Sequence, residues 1–335
     1  MEKNTIAEIS KRLNISSSTT GRVLRHCSGV DSEIRQRILR EVGRPAAEIS
    51  DRRAVYAILP DVPRYFWQPL KKGVLDTLRG TGVTYKINIC AQAGDESTVL
   101  WYLDEAEALN SQIILLAAHV TPAIHRRLET MTDRRLILLL NNEYKLVNSF
   151  YVGSNTYGDG CAMGRCYAQH YRHRPLLMLT LPGNANAERR VDGFMDALRE
   201  ADPCLADGVR RVKLDQQIFK NLKLLPSKLA LIMMEAAGAY EKLCIYSPTG
   251  IPQFPLALVK AKLTERAVCL CQDCYIKPGS TDAGRIVTCD QDGYAQGQTA
   301  AELILDFLAH GVYPKQKRTY VPSRIDFPPQ PLAGE

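Results

Sequence analysis

Apolar positions in the first 45 residues recur at helical spacing. In "TIAEISKRL" (5–13), Ile6, Ile9 and Leu13 stand at i, i+3 and i+7, one face of a helix. Thr5 fits its N-cap and Glu8, three residues on, completes a capping box; Asn14 ends the helix. Ser16 fits a second N-cap with Thr19 three residues later, and this helix turns Val23 and Leu24 inward. After a turn at Gly29-Val30, "DSEIRQRILREV" (31–42) predicts a third helix, capped by Asp31 or Ser32, with Ile34, Ile38, Leu39 and Val42 inward. Gly43, Arg44 and Pro45 break it. Three short helices enclose a small apolar centre, marginally stable on its own.

From Ala54 the pattern changes to short apolar runs alternating with longer amphipathic ones. "AVYAILP" (54–60), "VTYKINIC" (83–90), "QIILLAA" (112–118) and "RRLILLLN" (134–141) read as strands. Between them, "FWQPLKKGVLDTLRGTG" (66–82), "DESTVLWYLDEAEALN" (95–110) and "TPAIHRRLETM" (121–131) read as helices. Such alternation means βαβ units and a parallel sheet. After "FYVGSN" a second series starts: a helix over "GDGCAMGRCYAQHYRH", a strand over "PLLMLTLP" and a helix over "NAERRVDGFMDALREA". Strands "GVRRVKL", "KLCIYS" and "RAVCLCQ" follow, with helical segments between them. Two α/β lobes in tandem predict a cleft at the strand ends, where ligands bind in such sheets. The terminal "FPPQPLAGE" reads as a frayed tail.

Composition narrows the class. A chain of 335 residues exceeds one compact core. With 45% hydrophobic and 24% charged residues it matches a soluble globular protein, and no apolar run is long enough to cross a membrane. "MEKNTIAEISKRLN" has no apolar core of a secretory signal, so a cytoplasmic protein is expected, and not an exported binding protein. The ten cysteines then read as thiols and not disulfides. Cys90, Cys244, Cys269 and Cys271 sit inside apolar runs and should pack as small hydrophobes. Cys271 and Cys274 have C-x-x-C spacing, but zinc needs a second pair or nearby histidines, and only Cys289 is at hand. No metal and no cofactor is assigned. Charge is uneven: residues 1–53 hold 11 Lys/Arg against 7 Asp/Glu, while the remaining 282 hold 32 against 29. That pattern is a small basic head on a near-neutral body.

Head, linker and two α/β lobes, in this order, resemble the LacI/GalR family of bacterial transcription regulators. The strongest stretch, "TIAEISKRLNISSSTTGRVLRHCSGVDSEIRQRIL", is similar to that family's helix-turn-helix. "ILPDVPRYFW" (58–67), "YVGSNTYGDG" (151–160), "RRVDGFMDAL" (189–198) and "QDGYAQGQTAAELIL" (291–305) resemble its effector domain. The resemblance implies a multidomain fold: an all-α three-helix head over 1–44, a shortened linker over 45–53, and a two-lobed α/β periplasmic-binding-protein type I body over 54–335. It implies a homodimer, often a repressor, that grips double-stranded operator DNA and responds to a small-molecule effector, with a sugar the expected class. The runner-up is a DNA-binding regulator whose cleft is degenerate and answers to a protein partner or to no small molecule.

The second helix of a helix-turn-helix reads bases in the major groove with its N-terminal residues. Ser17, Ser18 and Arg22 should point there, Arg22 being able to donate two bonds to guanine. Thr5, Ser16 and Thr19 suit phosphate oxygens. For the effector, the resemblance implies Tyr65, Phe66 and Trp67 in the first βα loop, Asn141 or Asn142 at a strand end, Arg190, Asp273, and Gln291 at the crossover back to the first lobe. Two of the three aromatics can equally plug the first lobe's core, and Arg190 can equally be a surface charge beside Arg189. Three departures stand out. Gly21 replaces the family's serine, at a helix cost of about 1 kcal/mol against Ala. The stretch "AAEISDRRAVYAIL" is short and offers only Ile49 as a large apolar residue before the strand, so no minor-groove wedge of the usual kind is expected. Pro248 and Thr249 stand near the family's Asn-Asp pair. An enzyme is not expected: the chain has no G-x-S-x-G elbow, Walker lysine loop or H-E-x-x-H, and its histidines are scattered.

Overall fold

The computed structural model describes residues 6–24, 34, 37, 38, 41, 55–61, 64–90, 95–131, 135–251, 253–274 and 285–327, with the backbone alone at 22–24, 64, 216 and 220. Thr5, most of the third helix, the linker over 45–53 and the tail beyond 327 lie outside these residues.

In the head, α1 (Ile6–Leu13) ends at Asn14, whose φ of 53° lies in the left-handed region that asparagine tolerates. α2 (Ser17–Leu24) follows, and the Ser16 hydroxyl accepts the Thr19 N–H at 3.0 Å, the cap expected from the sequence. Thr20 is fully buried, and its hydroxyl meets that of Ser10 on α1 at 2.8 Å. Gly21 beside it is buried as well. Ile9 and Ile38 form the small core with Leu13, Ile15 and Ile34 against them. Ile6, placed inward by its spacing, is 42% exposed.

The body contains β1 (Val55–Pro60), β2 (Tyr85–Cys90), β3 (Ile113–Leu116), β4 (Leu136–Leu140), β5 (Ser149–Gly153), β6 (Leu176–Thr180), β7 (Arg210–Lys213), β8 (Leu243–Ser247), β9 (Ala267–Gln272), β10 (Ile286–Asp290), β11 (Arg318–Tyr320) and β12 (Arg324–Asp326). Its helices are α3 (Arg64–Leu78), α4 (Glu96–Ala108), α5 (Pro122–Glu129), α6 (Thr156–His170), α7 (Ala185–Ala201), α8 (Pro203–Asp207), α9 (Leu225–Ala237), α10 (Phe254–Lys260) and α11 (Gly293–His310).

These elements form two units, one of residues 1–153 and 293–319, the other of 154–292 and 320–335. The lobes are therefore interleaved in sequence and not simply in tandem. The first unit's sheet runs β11-β5-β4-β3-β1-β2 and the second's β12-β10-β9-β8-β6-β7. In the first, β1 to β5 pair in parallel; in the second, β6 to β10 do so and β12 is antiparallel to β10. Every residue of β1, β3, β4, β8 and β9 is buried. Such strands show continuous apolar runs, because both sheet faces are covered. "RYFW" is not a loop: α3 opens at Arg64, two residues before the predicted start. Pro69 lies inside α3, so the helix forgoes one backbone donor there.

In each unit two helices cross at a distance that only glycine permits. A Cβ on Gly297 of α11 would overlap the Leu70 carbonyl of α3, and one on Gly160 of α6 would overlap the Arg190 carbonyl of α7. Neither carbonyl can retreat, being held in a helix backbone. Gly160→Ala gains about 1 kcal/mol of helix propensity but must spread this crossing. We expect a net loss of about 1–3 kcal/mol of stability, read as a lower urea midpoint; an unchanged midpoint would contradict the close-approach account.

Candidate functional site

The second unit contains a buried polar network at the C-terminal ends of its strands. Arg190 on α7 is 4% exposed, Asp159 on α6 6%, Gln291 2%, and Ser154 and Gln272 are fully buried. Arg190 Nη1 donates to the Pro248 carbonyl at 3.0 Å, and Nη2 to Gln291 Oε1 at 2.9 Å. Its Nε lies 3.9 Å from Asp159 Oδ2, an ion pair without a hydrogen bond. Ser154 Oγ is 2.7 Å from Asp159 Oδ2 and 2.8 Å from Gln291 Oε1, so its one proton serves one acceptor at a time. Gln272 Nε2 reaches Asp159 Oδ2 at 3.4 Å.

Gln291 also faces Asp273. Its backbone N–H donates to Asp273 Oδ1 at 3.0 Å and its side-chain Nε2 to Asp273 Oδ2. This fixes the Gln291 amide, with its oxygen toward Arg190 and its nitrogen toward Asp273. Burial pushes the Asp273 carboxyl up to about 6, and the Arg190 charge and the Gln291 donors oppose that rise.

Local backbone explains how these groups converge. Asp273 directly follows β9 with φ 43°, and its N–H goes to the Cys289 carbonyl of β10. The first unit repeats the device: Asn141 directly follows β4 with φ 60°, and its N–H goes to the Val152 carbonyl of β5. Asn and Asp tolerate this conformation better than other side chains. Asn142 Nδ2 then donates to the Ala117 carbonyl beyond β3 at 2.9 Å.

Of the residues expected at an effector site, Arg190, Asp273 and Gln291 meet in one network. Tyr65, Phe66, Trp67, Asn141 and Asn142 belong to the first unit. Phe66 and Trp67 are both 6% exposed and pack edge to face, while Tyr65 is half-buried. In the head, Ser16, Ser17 and Ser18 are exposed and Thr19 half-buried; Thr5 and the Arg22 side chain lie outside the described residues. Arg190 is buried and not a surface charge. Ser154, Asp159, Gln272 and the Pro248 carbonyl were not singled out by sequence reasoning. Ser154 and Asp159 sit within "YVGSNTYGDG", and Gln272 is the polar end of the otherwise apolar β9. That end position was the available signal.

The buried thiols behave as packing groups. Burial pushes Cys90 and Cys166 up to about 11 and Cys289 to about 12, which keeps them protonated. No group of three or more potential metal ligands occurs among the described residues. No helix among them is long and apolar enough to cross a membrane.

No family model and no curated protein matches the chain. Solved structures do. A glucose-galactose binding protein, GanP, from Geobacillus stearothermophilus is 16% identical with a TM-score of 0.66, over 82% of this chain and 96% of that one. A carbohydrate transporter solute-binding protein from Agrobacterium radiobacter, in complex with D-arabinose, is 15% identical with a TM-score of 0.68, over 83% and 95%. A protein described as a LacI transcriptional regulator from Bacteroides fragilis is 12% identical with a TM-score of 0.66, over 83% and 97%. The body therefore has the periplasmic-binding-protein type I fold.

Arg190→Ala strands Asp159 as a buried, unpaired charge and should cost about 3–5 kcal/mol. In a double-mutant cycle with Asp159→Ala, chemical denaturation should show the double variant losing clearly less than the sum of the singles; additive losses would remove the coupling.

Asp273 generates a pH dependence. Its folded value, about 6, lies above the ordinary 3.8, so its ionisation disfavours the fold. The stability it contributes is fully present below about pH 3.8 and is lost as pH rises through about 6. The full loss is roughly 3 kcal/mol. The stability of Asp273→Asn relative to the parent should therefore rise between pH 4 and pH 7, as measured by urea unfolding in matched buffers; a flat difference would contradict the raised carboxyl.

Proposed function

We propose that this protein is a sequence-specific, DNA-binding transcription regulator whose two-unit body senses a small polyhydroxylated molecule, with a sugar the first class to test. It works in the cytoplasm as a homodimer and carries out no catalysis. The observation that carries the reading is a body of sugar-binding fold joined to a head whose second helix, capped by Ser16, presents Ser17 and Ser18 to solvent at its N-terminal turn. Hydroxyls and amides at a helix N-terminus suit phosphate and base edges. The excess of four positive charges in residues 1–53 favours an anionic partner.

The body's role is to turn ligand binding into a change at the head. Asp273 and Gln291 supply acceptors and donors of the kind that hold paired hydroxyls. One observation favours the second reading, a regulator that takes no small molecule. Two arms of the Arg190 guanidinium already serve Pro248 and Gln291, which leaves less of it for a ligand.

Two measurements test the proposal. Binding-site selection from random duplexes should return a roughly palindromic site, and Arg22→Ala should lose sequence preference by about 10-fold or more while retaining salt-sensitive binding. Unchanged selectivity would take Arg22 out of the reading. A sugar panel should raise the melting temperature of the full chain for one class; no shift across the panel, with DNA binding intact, leaves the second reading.

A further inference from the structure

Among the buried thiols, one pair is placed to do more than pack. Cys271 stands next to last in β9, and Gln272 closes the strand. The chain then turns at Asp273, whose φ of 43° is left-handed, and reaches Cys274. This turn brings both cysteines onto one residue of the neighbouring strand. Cys271 pairs with Thr288 of β10 in the parallel register, and the Cys274 N–H donates to the Thr288 hydroxyl at 3.0 Å. Both side chains belong to the apolar cluster with Leu243, Ile245 and Cys269. They lie within hydrogen-bond reach of each other.

The two thiols are not equivalent. Cys274 is 8% exposed and Cys271 2%, so an oxidant arriving from solvent meets Cys274 first. Burial, and then the hydrogen bond to Cys274, push the Cys271 thiol well above its ordinary range. An outer thiol backed by an inner, protonated one divides the chemistry: the outer sulfur reacts and the inner one resolves.

What stands between the cysteines gives the pair a consequence. Gln272 and Asp273 are the two residues by which the end of β9 enters the polar network. Gln272 Nε2 reaches Asp159 Oδ2, and Asp273 accepts both donors of Gln291. Joining the sulfurs draws the ends of this short loop together, and Gln272 and Asp273 move with them. Hydrogen bonds weaken steeply once distance and angle depart from their narrow optimum.

We propose that Cys271 and Cys274 are an oxidisable dithiol, and that hydrogen peroxide, by closing it to a disulfide, loosens the hold of Asp273 on Gln291. The Cys274 thiolate attacks one peroxide oxygen and the O–O bond breaks. The other oxygen leaves as hydroxide and takes up the proton that Cys274 released, giving water and a Cys274 sulfenic acid. The Cys271 sulfur then attacks the Cys274 sulfur. The S–O bond breaks, and the departing hydroxide takes the Cys271 proton as a second water. Two thiols lose two hydrogens and two electrons in all, and one peroxide becomes two waters. A dithiol reductant reverses the bond by exchange. The chemistry stands on the pair itself; only its use as a second input to a regulator rests on the proposed function.

The full chain, reduced and then freed of reductant, is treated with hydrogen peroxide without denaturant. Remaining thiols are alkylated and mapped by mass spectrometry. Tryptic cleavage after Arg266 leaves Cys269, Cys271 and Cys274 on one peptide, so fragmentation tells the possible links apart. A Cys271–Cys274 link, two hydrogens lighter and reversed by dithiothreitol, is the expected product. Hydrogen exchange is the second readout. The Gln291 N–H, which donates to Asp273, should exchange about 10-fold or more faster in the linked protein. Cys274→Ala should keep its slow exchange under peroxide, and Cys269→Ala should respond as the parent does. Mapping and exchange of the parent decide the outcome even where a variant folds poorly. A link through any other cysteine, a link that forms only in urea, or an unchanged Gln291 amide in the linked protein would each overturn the proposal. Neither readout involves DNA or a sugar, so failure of the regulator reading leaves the result interpretable.

Discussion

A guanidinium buried away from water must be neutralised and hydrogen-bonded where it lies, or the fold pays several kcal/mol for it. In the second unit that requirement falls on Arg190. It gathers the carbonyl ending β8 at Pro248, the carboxylate of Asp159 on α6 and the amide of Gln291 beyond β10. Each of those groups is fixed in turn by something else. The α6–α7 crossing that sets Asp159 beside Arg190 exists because Gly160 has no side chain to hold the helices apart. Gln291 is oriented because Asp273 takes both its donors. One buried charge thus specifies the relative placement of two helices and three strand ends.

Ser154 and Gln291 give this network a second meaning. They are the first and nearly the last residues of the second unit's main segment, at the points where the chain enters and leaves it. Their side chains touch at 2.8 Å. Both passages of the chain are therefore anchored to the same buried charge.

The two units use one solution for presenting a polar residue at a strand end. A left-handed residue closes β4 at Asn141 and β9 at Asp273, and each donates its N–H to the neighbouring strand. The repetition places polar side chains at equivalent positions in two units whose sequences differ. The proposed effector reading depends on these positions.

Periodicity alone was enough for most elements. Buried parallel strands are continuous apolar runs, and the helices between them carry one apolar face, so their order and the parallel sheets were legible. The Ser16 cap was legible because a hydroxyl three residues before the N–H that it accepts is a local arrangement. The resemblance added Arg190, Asp273 and Gln291 as separate site candidates. What the sequence could not contain is which distant groups meet. Ser154 and Gln291 are 137 residues apart, Arg190 and Gln291 101, and Gln272 and Asp159 113. The resemblance put Tyr65, Phe66 and Trp67 in a loop, whereas all three lie in the first turn of α3, with Phe66 and Trp67 buried. Chain pattern is set by neighbours within a few residues, and it determined the elements. Burial, charge neutralisation and helix separation are set by groups far apart in the chain, and only the tertiary structure decided them.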